Sequence, residues 1–365
     1  MTRPNSLEEF IGQADLKPLL EFNLFASKTR KIPFPHTLLT GGPGLGKTTL
    51  ANIIASELER PIYNYMGSAI KTRYDVENIE KAISQHINSN SRPACECKEC
   101  SRINGVQSCY HKAGYNCDGS VSDWNLYSHS ILFIDEIHRV STKNQELFYS
   151  MMEDRVYFTG IIDPKTGKES KYWIPLFTLI GATTNSGSLA KPFFDRFQLK
   201  LNLKNYSVDE CVDIIKSSCR KEGVGCDDEA ARDIATRSDG IPRVLINLSR
   251  AAVNTAIVME KKIIDKKVAE TMFNLNNIDG IGLPEIAHRI LKILASIYPK
   301  STGLENLSVT INEDAKYISG WVEPRLIQHG FIERTTKGRI LTGKGMDYIR
   351  PFLNKEKEVK SAREI

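Results

Sequence analysis

The chain has 365 residues, long enough for two or three domains, with a hydrophobic fraction of 41% and a mean hydropathy of −0.30, ordinary values for a soluble protein. No apolar run approaches the roughly 18 residues of a membrane span, and Met1–Gln13 lacks a secretory-signal pattern, so a cytoplasmic protein with no membrane partner is expected. The 49 basic and 44 acidic residues leave a formal charge of +5, too small an excess to diagnose nucleic-acid binding alone. Its distribution says more, because Arg325–Arg350 holds six basic residues against two acids.

In chain order, the first strong signal is Gly41-Gly42-Pro43-Gly44-Leu45-Gly46-Lys47-Thr48, which fits the phosphate-loop pattern G-x-x-x-x-G-K-[ST]. His36–Thr40 before it reads as a short buried strand. Thr48–Glu59 after it reads as a helix with Leu50, Ile53, Ile54 and Leu58 on one face. The glycines let backbone N–H groups curl around an anion at the positive end of that helix. Lys47 is then expected to reach the β and γ phosphates of ATP, and Thr48 to hold Mg²⁺.

Between Arg60 and Ser130 lie Cys95, Cys97, Cys100, Cys109, His111 and Cys117, so five of the eight cysteines fall within 23 residues. Clustered thiols in a cytosolic protein point to a metal rather than to disulfides. Cys97-x-x-Cys100 has zinc-knuckle spacing. The second pair comes from Cys95, Cys109, His111 and Cys117, and spacing alone does not choose. The reading adopted is structural Zn²⁺ on Cys97, Cys100, Cys109 and Cys117, with Cys95 or His111 as alternative ligands. A cluster of reduced, unliganded thiols is the bland alternative.

Ser130–Glu136 is an apolar run ending in two carboxylates, the pattern of a buried parallel strand with ligand chemistry beyond its carboxyl end. Asp135 is expected to face the Mg²⁺ held by Thr48, and Glu136 to polarise the attacking water. Val156–Phe158 and Lys171–Ile174 read as two strands of a hairpin turning through Asp163–Gly167. Asp209–Lys221, Asp227–Arg237 and Arg243–Lys261 are amphipathic helical patterns, and Asn276–Gly282 suits a linker. Phe331–Arg334 and Arg339–Thr342 flank a polar turn and close a compact helical domain as a winged helix would. Cys211, Cys219 and Cys226 read as packing residues. The tail from Asn354 is charged and expected to fray.

The chain resembles RuvB, the Holliday-junction branch-migration motors of the AAA+ class, collinearly over most of its length. The likeness takes in Arg3-Pro4, Leu7–Gln13, the phosphate loop with Thr49-Leu50-Ala51, Leu132–Arg139, Met152-Glu153-Asp154, Phe177–Thr184, Asp195-Arg196-Phe197 and Gly240–Arg243. Its most specific parts are Glu323–Phe331 and Arg334–Arg339. The resemblance implies an α/β fold in which residues 1–200 form a parallel-sheet ATPase domain. Residues 201–275 would form a helical lid, 276–355 a winged helix and 356–365 a charged tail.

It also implies roles. Lys47, Asp135, Glu136, Thr184 as first sensor and Arg196 as arginine finger would carry catalysis. Arg3, Gly44, Gly46, Lys47, Thr48, Thr49, Glu153, Asp154, Tyr206 and the second sensor Arg243 would line the nucleotide. Arg155 stands where the family carries an aromatic and would approach through its backbone. Arg334 and Arg339, with Lys337 between them, would grip double-stranded DNA through phosphates and so without reading sequence. A homo-oligomeric, hexameric ring acting on Holliday junctions is implied, with a RuvA-like partner on the hairpin at about 155–175.

The cysteine-rich stretch, about 88–125, departs from the family and reads as an insertion. A small zinc module in bacterial clamp-loader subunits keeps a clamp-loader-like ATPase as the alternative, and an ATP-dependent assembly scaffold as a third.

Overall fold

The computed structural model describes residues 4–88, 130–162, 164, 167 and 169–363. Arg3 and all the candidate zinc ligands (Cys95, Cys97, Cys100, Cys109, His111 and Cys117) lie outside the described residues. Two compact units are present, Met1–Ile214 with Gly240–Ile246, and Ile215–Asp239 with Asn247–Ile365.

The first unit is built on a five-stranded parallel sheet of β1 (Thr37–Thr40), β2 (Ile62–Met66), β3 (Ser130–Asp135), β6 (Phe177–Thr183) and β7 (Leu199–Asn202), in the order β2-β3-β6-β1-β7. Successive residues point to opposite faces. The central strands β1, β3 and β6 are covered on both faces and are buried nearly throughout, whereas the edge strands β2 and β7 expose Asn64, Lys200 and Asn202. Leu39, Ile131 and Phe133 pack with Leu20 and Leu24 of α1 (Lys17–Arg30) and with Leu50, Ile53 and Ile54 of α2 (Lys47–Glu57). Leu38, Leu132, Ile134 and Leu179 pack with Val76, Ile79 and Ile83 of α3 (Arg73–Asn88) on the other face. Phe148 and Met151 of α4 (Thr142–Glu153) and Phe193 of α5 (Lys191–Asp195) complete that side.

The expected hairpin forms from β4 (Val156–Ile162) and β5 (Glu169–Trp173), antiparallel, with Phe158 opposite Lys171. Arg73 at the start of α3 braces it, donating to the Phe158 carbonyl and, at 2.9 Å, to Glu169 Oε1, which also accepts the Gly160 N–H at 2.6 Å. Ile161 and Ile162 near its tip are each 66% exposed.

The remaining chain begins with α6 (Val208–Lys221), α7 (Asp228–Thr236), α8 (Pro242–Val258) and α9 (Lys266–Leu275), with β8 (Gly225–Cys226) paired to β9 (Ile263–Ile264). Asp227 and Asp265 cap α7 and α9 by accepting the N–H groups of Ala230 and Val268 at 2.7 and 2.9 Å. Cys211 and Cys219 are buried, as expected of packing residues, and Cys219 also hydrogen-bonds to Cys226, a contact that with burial raises the Cys226 thiol.

The segment Asn276–Gly282, expected as a linker, is a fastened corner. The Asp279 carboxylate accepts from Ile281 and Leu283 N–H at 2.9 and 2.8 Å, pairs with His288 Nε2 at 2.5 Å and accepts the Tyr348 hydroxyl. Burial favours the acid form, but the bonds from His288 and Tyr348 win and hold this carboxyl at about 2.

The C-terminal fold runs through α10 (Glu285–Ser296), α11 (Leu304–Ile311) and α12 (Ala315–Tyr317). A π turn at Ile318–Val322 leads into α13 (Glu323–Gln328), then the hairpin of β10 (Ile332–Thr335) and β11 (Gly338–Leu341), and α14 (Gly343–Arg363). Ile290, Leu291 and Leu294 of α10 meet Leu307, Ile318, Leu326, Ile332 and Ile349 in one core. The tail expected to fray instead continues α14 to Arg363, as its Lys, Glu and Ala content favours.

One part-buried contact makes the first unit sensitive to acid. His36 Nδ1 accepts the Leu179 N–H at 2.8 Å, so a proton there would set donor against donor. Burial pushes the imidazole down from 6.5 to about 4. The unfolded chain therefore takes up this proton first, and stability is lost as pH falls from 6.5 towards 4. A His36→Asn variant, followed by thermal unfolding across that window, should show a shallower fall in Tm than the parent.

Candidate active site

The phosphate loop leaves β1 at Thr40 and enters α2 at Lys47. Gly44 and Gly46 sit at φ +80° and +98°, a region costly for any residue with a Cβ. A Cβ on Gly44 would also lie 3.0 Å from that of Arg243, whose N–H donates to the Gly44 carbonyl at 3.3 Å. Lys47 is buried, its ammonium donating to the carbonyls of Gly41 and Gly42 at 2.9 and 2.8 Å. Desolvation lowers its pKa, the carboxylates of Asp135 and Glu136 oppose that, and Arg243 adds to it. A buried cation resting on neutral carbonyls, inside a loop shaped by glycine, fits a polyphosphate.

Tyr206 is buried beside the loop, donating from its hydroxyl to Leu45 O at 3.5 Å and from its N–H to Gly240 O at 2.8 Å; burial raises its phenol well above the ordinary range. Phe10, to which the motifs assign no role, lines the same loop, 3.5 Å from where a Gly46 Cβ would stand. Thr49 comes next in the first turn of α2, half-buried.

Pairing of β3 with β6, and of β6 with β1, brings their carboxyl ends together beside this loop. The Thr48 hydroxyl donates to Asp135 Oδ2 at 3.2 Å. A hydroxyl and a carboxylate so placed fit Mg²⁺, which when bound neutralises phosphate charge. Glu136 turns at φ +51°, a left-handed conformation that a non-glycine residue adopts at a cost. Its Oε2 accepts the Thr184 hydroxyl at 3.3 Å and lies 3.3 Å from His138 Nδ1. His138 Nδ1 also meets the Thr183 hydroxyl at 2.9 Å, and that oxygen accepts the Asn185 N–H at 2.9 Å. The sequence reading gives His138 no role; its place two residues after Glu136 is the only signal there. Glu136 is thus held by Thr184 and flanked by His138, a setting that suits a candidate base for polarising water.

Arg196 is not in this cluster. It precedes β7, whose Leu199 pairs with Thr37, the first residue of β1, whereas the phosphate loop comes after Thr40, the last. Glu153, Asp154 and Arg155 lie at the same amino-terminal edge, where Met152 and Arg155 line a cavity with Phe34, His36, Phe177 and Gln198. Arg155 is at φ +53° and its carbonyl accepts the Ile174 N–H at 2.9 Å. A single chain therefore carries the hydrolytic cluster and the candidate finger at opposite ends of one sheet.

In the C-terminal fold the candidate DNA residues divide. Glu323 is fully buried and accepts from Arg334 Nη2 at 2.6 Å and from Arg339 Nε. Arg339 is 17% exposed and Arg334 51%. Lys337 lies exposed in the two-residue turn. Among the described residues no group of three or more His, Cys, Asp or Glu side chains has the arrangement of a metal site, and no helix is long and apolar enough to cross a membrane.

A glycine-shaped phosphate loop, with two acids and a threonine at the ends of the neighbouring strands of one parallel sheet, defines a P-loop ATPase of the AAA+ class. The family models that match are the Holliday junction DNA helicase RuvB P-loop domain over residues 2–87 and 120–203, the RuvB AAA lid domain over 206–279, and the RuvB C-terminal winged helix domain over 280–350. The chain belongs to the RuvB family and is an ATP hydrolase. A Holliday junction branch migration complex subunit RuvB of Pseudothermotoga lettingae is 33% identical over 95% of this chain and 89% of its own length. That of Campylobacter hominis is 34% identical over 95% and 89%. The solved Thermotoga maritima RuvB Holliday junction branch migration motor is 34% identical, with a TM-score of 0.71 over 95% of this chain and 98% of that one. The P-loop model has no counterpart for residues 88–119, within the stretch read as an insertion.

Replacing Glu136 by Gln keeps the volume and the Thr184 contact but removes the candidate base. Steady-state ATP turnover should fall about 10²- to 10⁴-fold, while nucleotide affinity, measured by fluorescent-analogue titration, stays within a few-fold of the parent.

Proposed function

We propose that this chain is an ATP-driven motor that assembles as a ring of six copies on duplex DNA and drives branch migration of Holliday junctions in recombination and repair. One observation carries the reading: the hydrolytic cluster and Arg196 lie at opposite ends of one sheet, so a finger for one site has to come from a neighbouring copy. An arginine supplied in this way stabilises transition-state charge and ties hydrolysis to assembly. The names of the relatives support the substrate.

Residues 1–200 serve as the ATPase domain, 201–275 as the lid and 276–355 as the winged helix. Arg3, Thr49, Tyr206 and Arg243 contribute to the nucleotide site of their own chain. Glu153, Asp154 and Arg155 face the nucleotide of the next copy. Arg334 and Lys337 contact DNA phosphates, and Arg339 supports the wing by holding Glu323. The β4–β5 hairpin, with Ile161 and Ile162 at its tip, docks a RuvA-like junction-binding protein. The setting is the cytoplasm. Zn²⁺ on Cys97, Cys100, Cys109 and Cys117, with Cys95 or His111 as substitutes, organises the insertion, a reading supported by the Cys-x-x-Cys spacing. The clamp-loader alternative gains nothing from the matched lid and winged helix, both of which are RuvB domains.

ATP hydrolysis measured with and without synthetic four-way-junction DNA should rise with the junction, and Arg196→Ala should abolish the rise. Hydrolysis indifferent to DNA would overturn the motor reading. Lys337→Ala should weaken DNA binding evenly across sequences and reduce the salt slope, log K against log salt, by about one. Arg339→Ala should lower the unfolding temperature of the protein as well, because it leaves a buried carboxylate short of a partner. Metal analysis of the purified protein should find one Zn²⁺ per chain, lost in Cys97→Ser with ATP turnover retained.

A further inference from the structure

Arg196 is held by three contacts from its own chain. Its Nη1 donates to the Pro192 carbonyl at 2.7 Å, its Nη2 meets Glu153 Oε2 at 2.5 Å, and its guanidinium carbon lies 4.5 Å from the centre of the Tyr149 ring. Tyr149 and Glu153 are four residues apart on α4 and so share one face of that helix. Pro192 is four residues before Arg196, in α5. Nε of Arg196 is buried with no hydrogen-bond partner among the described residues. A guanidinium left free to turn would not strand a donor in this way; the other three contacts fix its plane.

We infer that Tyr149 is a positioning residue for Arg196. It is a platform that aims the guanidinium at the γ-phosphate bound by the neighbouring copy, with the Pro192 carbonyl as the second fixed point. The inference rests on Arg196 being the finger. Glu153 is the contact that gives way: it is 58% exposed, and its carboxylate occupies the kind of anion site that a phosphate takes over as the copies close. Tyr149 is half-buried and packs against the core cluster that includes Phe148 and Phe193, so it stays in place during that exchange. An arginine stacked on an aromatic ring keeps its in-plane donors available for a planar or tetrahedral oxyanion, whereas an arginine held only by a carboxylate does not. Little of this lies close in sequence: Tyr149 and Arg196 are 47 residues apart.

The test is complementation between two defective chains. Arg196→Ala retains the hydrolytic cluster and lacks the finger; Glu136→Gln retains the finger and does not hydrolyse. Mixed, they should recover junction-stimulated ATP turnover, each active site then using the finger of a Glu136→Gln neighbour. A donor that also carries Tyr149→Leu should lower the kcat of the mixture roughly two- to thirtyfold, the range of an aromatic–cation contact. KM for ATP should not move. A donor carrying Tyr149→Phe should match the Glu136→Gln donor, since the ring is what is needed. Should the leucine donor not assemble, Tyr149→Met carries the same prediction with a flexible apolar side chain. Equal kcat with the leucine and parent donors overturns the positioning role and leaves the finger intact. No recovery in the first mixture overturns the finger reading itself, and this inference with it.

Discussion

In-register parallel pairing of β1, β3 and β6 is the constraint on which the chemistry of this chain depends. Thr40 stands beside Thr183, and Ile134 beside Gly181, so the three strands end level. The segment leaving each strand is therefore delivered to one edge: the phosphate loop after β1, Asp135 and Glu136 at the end of β3, and Thr184 after β6. The same register levels the opposite edge. There the entry to β1, the start of β6 and the approach to β7 meet the end of α4, which places Arg196 with Glu153 and His36 near Arg155. One sheet thus carries the phosphate-loop cluster at one edge and Arg196 at the other, and on the proposed reading the two serve neighbouring copies rather than each other.

Each pole holds its charges in advance of any substrate, and that preparation is where catalytic power resides. Lys47 has been taken out of water and set on two carbonyls, so its charge is poorly solvated and strongly available to an anion. Glu136 is kept in a left-handed turn with the Thr184 hydroxyl donating to it and the His138 ring 3.3 Å away, and Arg196 is fixed at the expense of a buried donor. These features run against what folding alone would favour. Their concentration at two small regions, beside central strands that are buried nearly throughout, is what makes these regions the candidate functional sites.

The candidate ATP site was legible in the sequence because its signals are local: a strand, a loop with glycines at fixed intervals and a helix in succession, and later a buried strand closed by two acids. Only its refinements needed coordinates, such as Phe10 against the loop and His138 beside Glu136. The setting of Arg196 was not legible, because Tyr149 and Glu153 reach it across 47 and 43 residues through the packing of α4 on the sheet. The same holds for the corner at Asp279, which composition presents as a linker and which His288 and Tyr348 tie down from later helices. The cysteine-rich stretch stays a reading of spacing, as its residues lie outside those described.

Charge in the C-terminal fold shows why a count along the sequence overstates what is available to DNA. Of the six basic residues in Arg325–Arg350, Arg334 and Arg339 are committed to Glu323 and Arg325 to Asp239 at 2.5 Å, acids that lie outside that window, while Arg350 pairs with Asp347 at the surface. The buried pairs shape the wing; they do not advertise it. What remains directed outward is the half-exposed edge of Arg334, Lys337 at the turn, and Lys344, whose ammonium lies 5.7 Å from the Phe331 ring. So small a set suits a weak, sequence-neutral grip on phosphates. On the proposed reading that is the grip a motor requires, since many copies around a ring multiply modest contacts into a firm hold while each one still releases as the duplex advances.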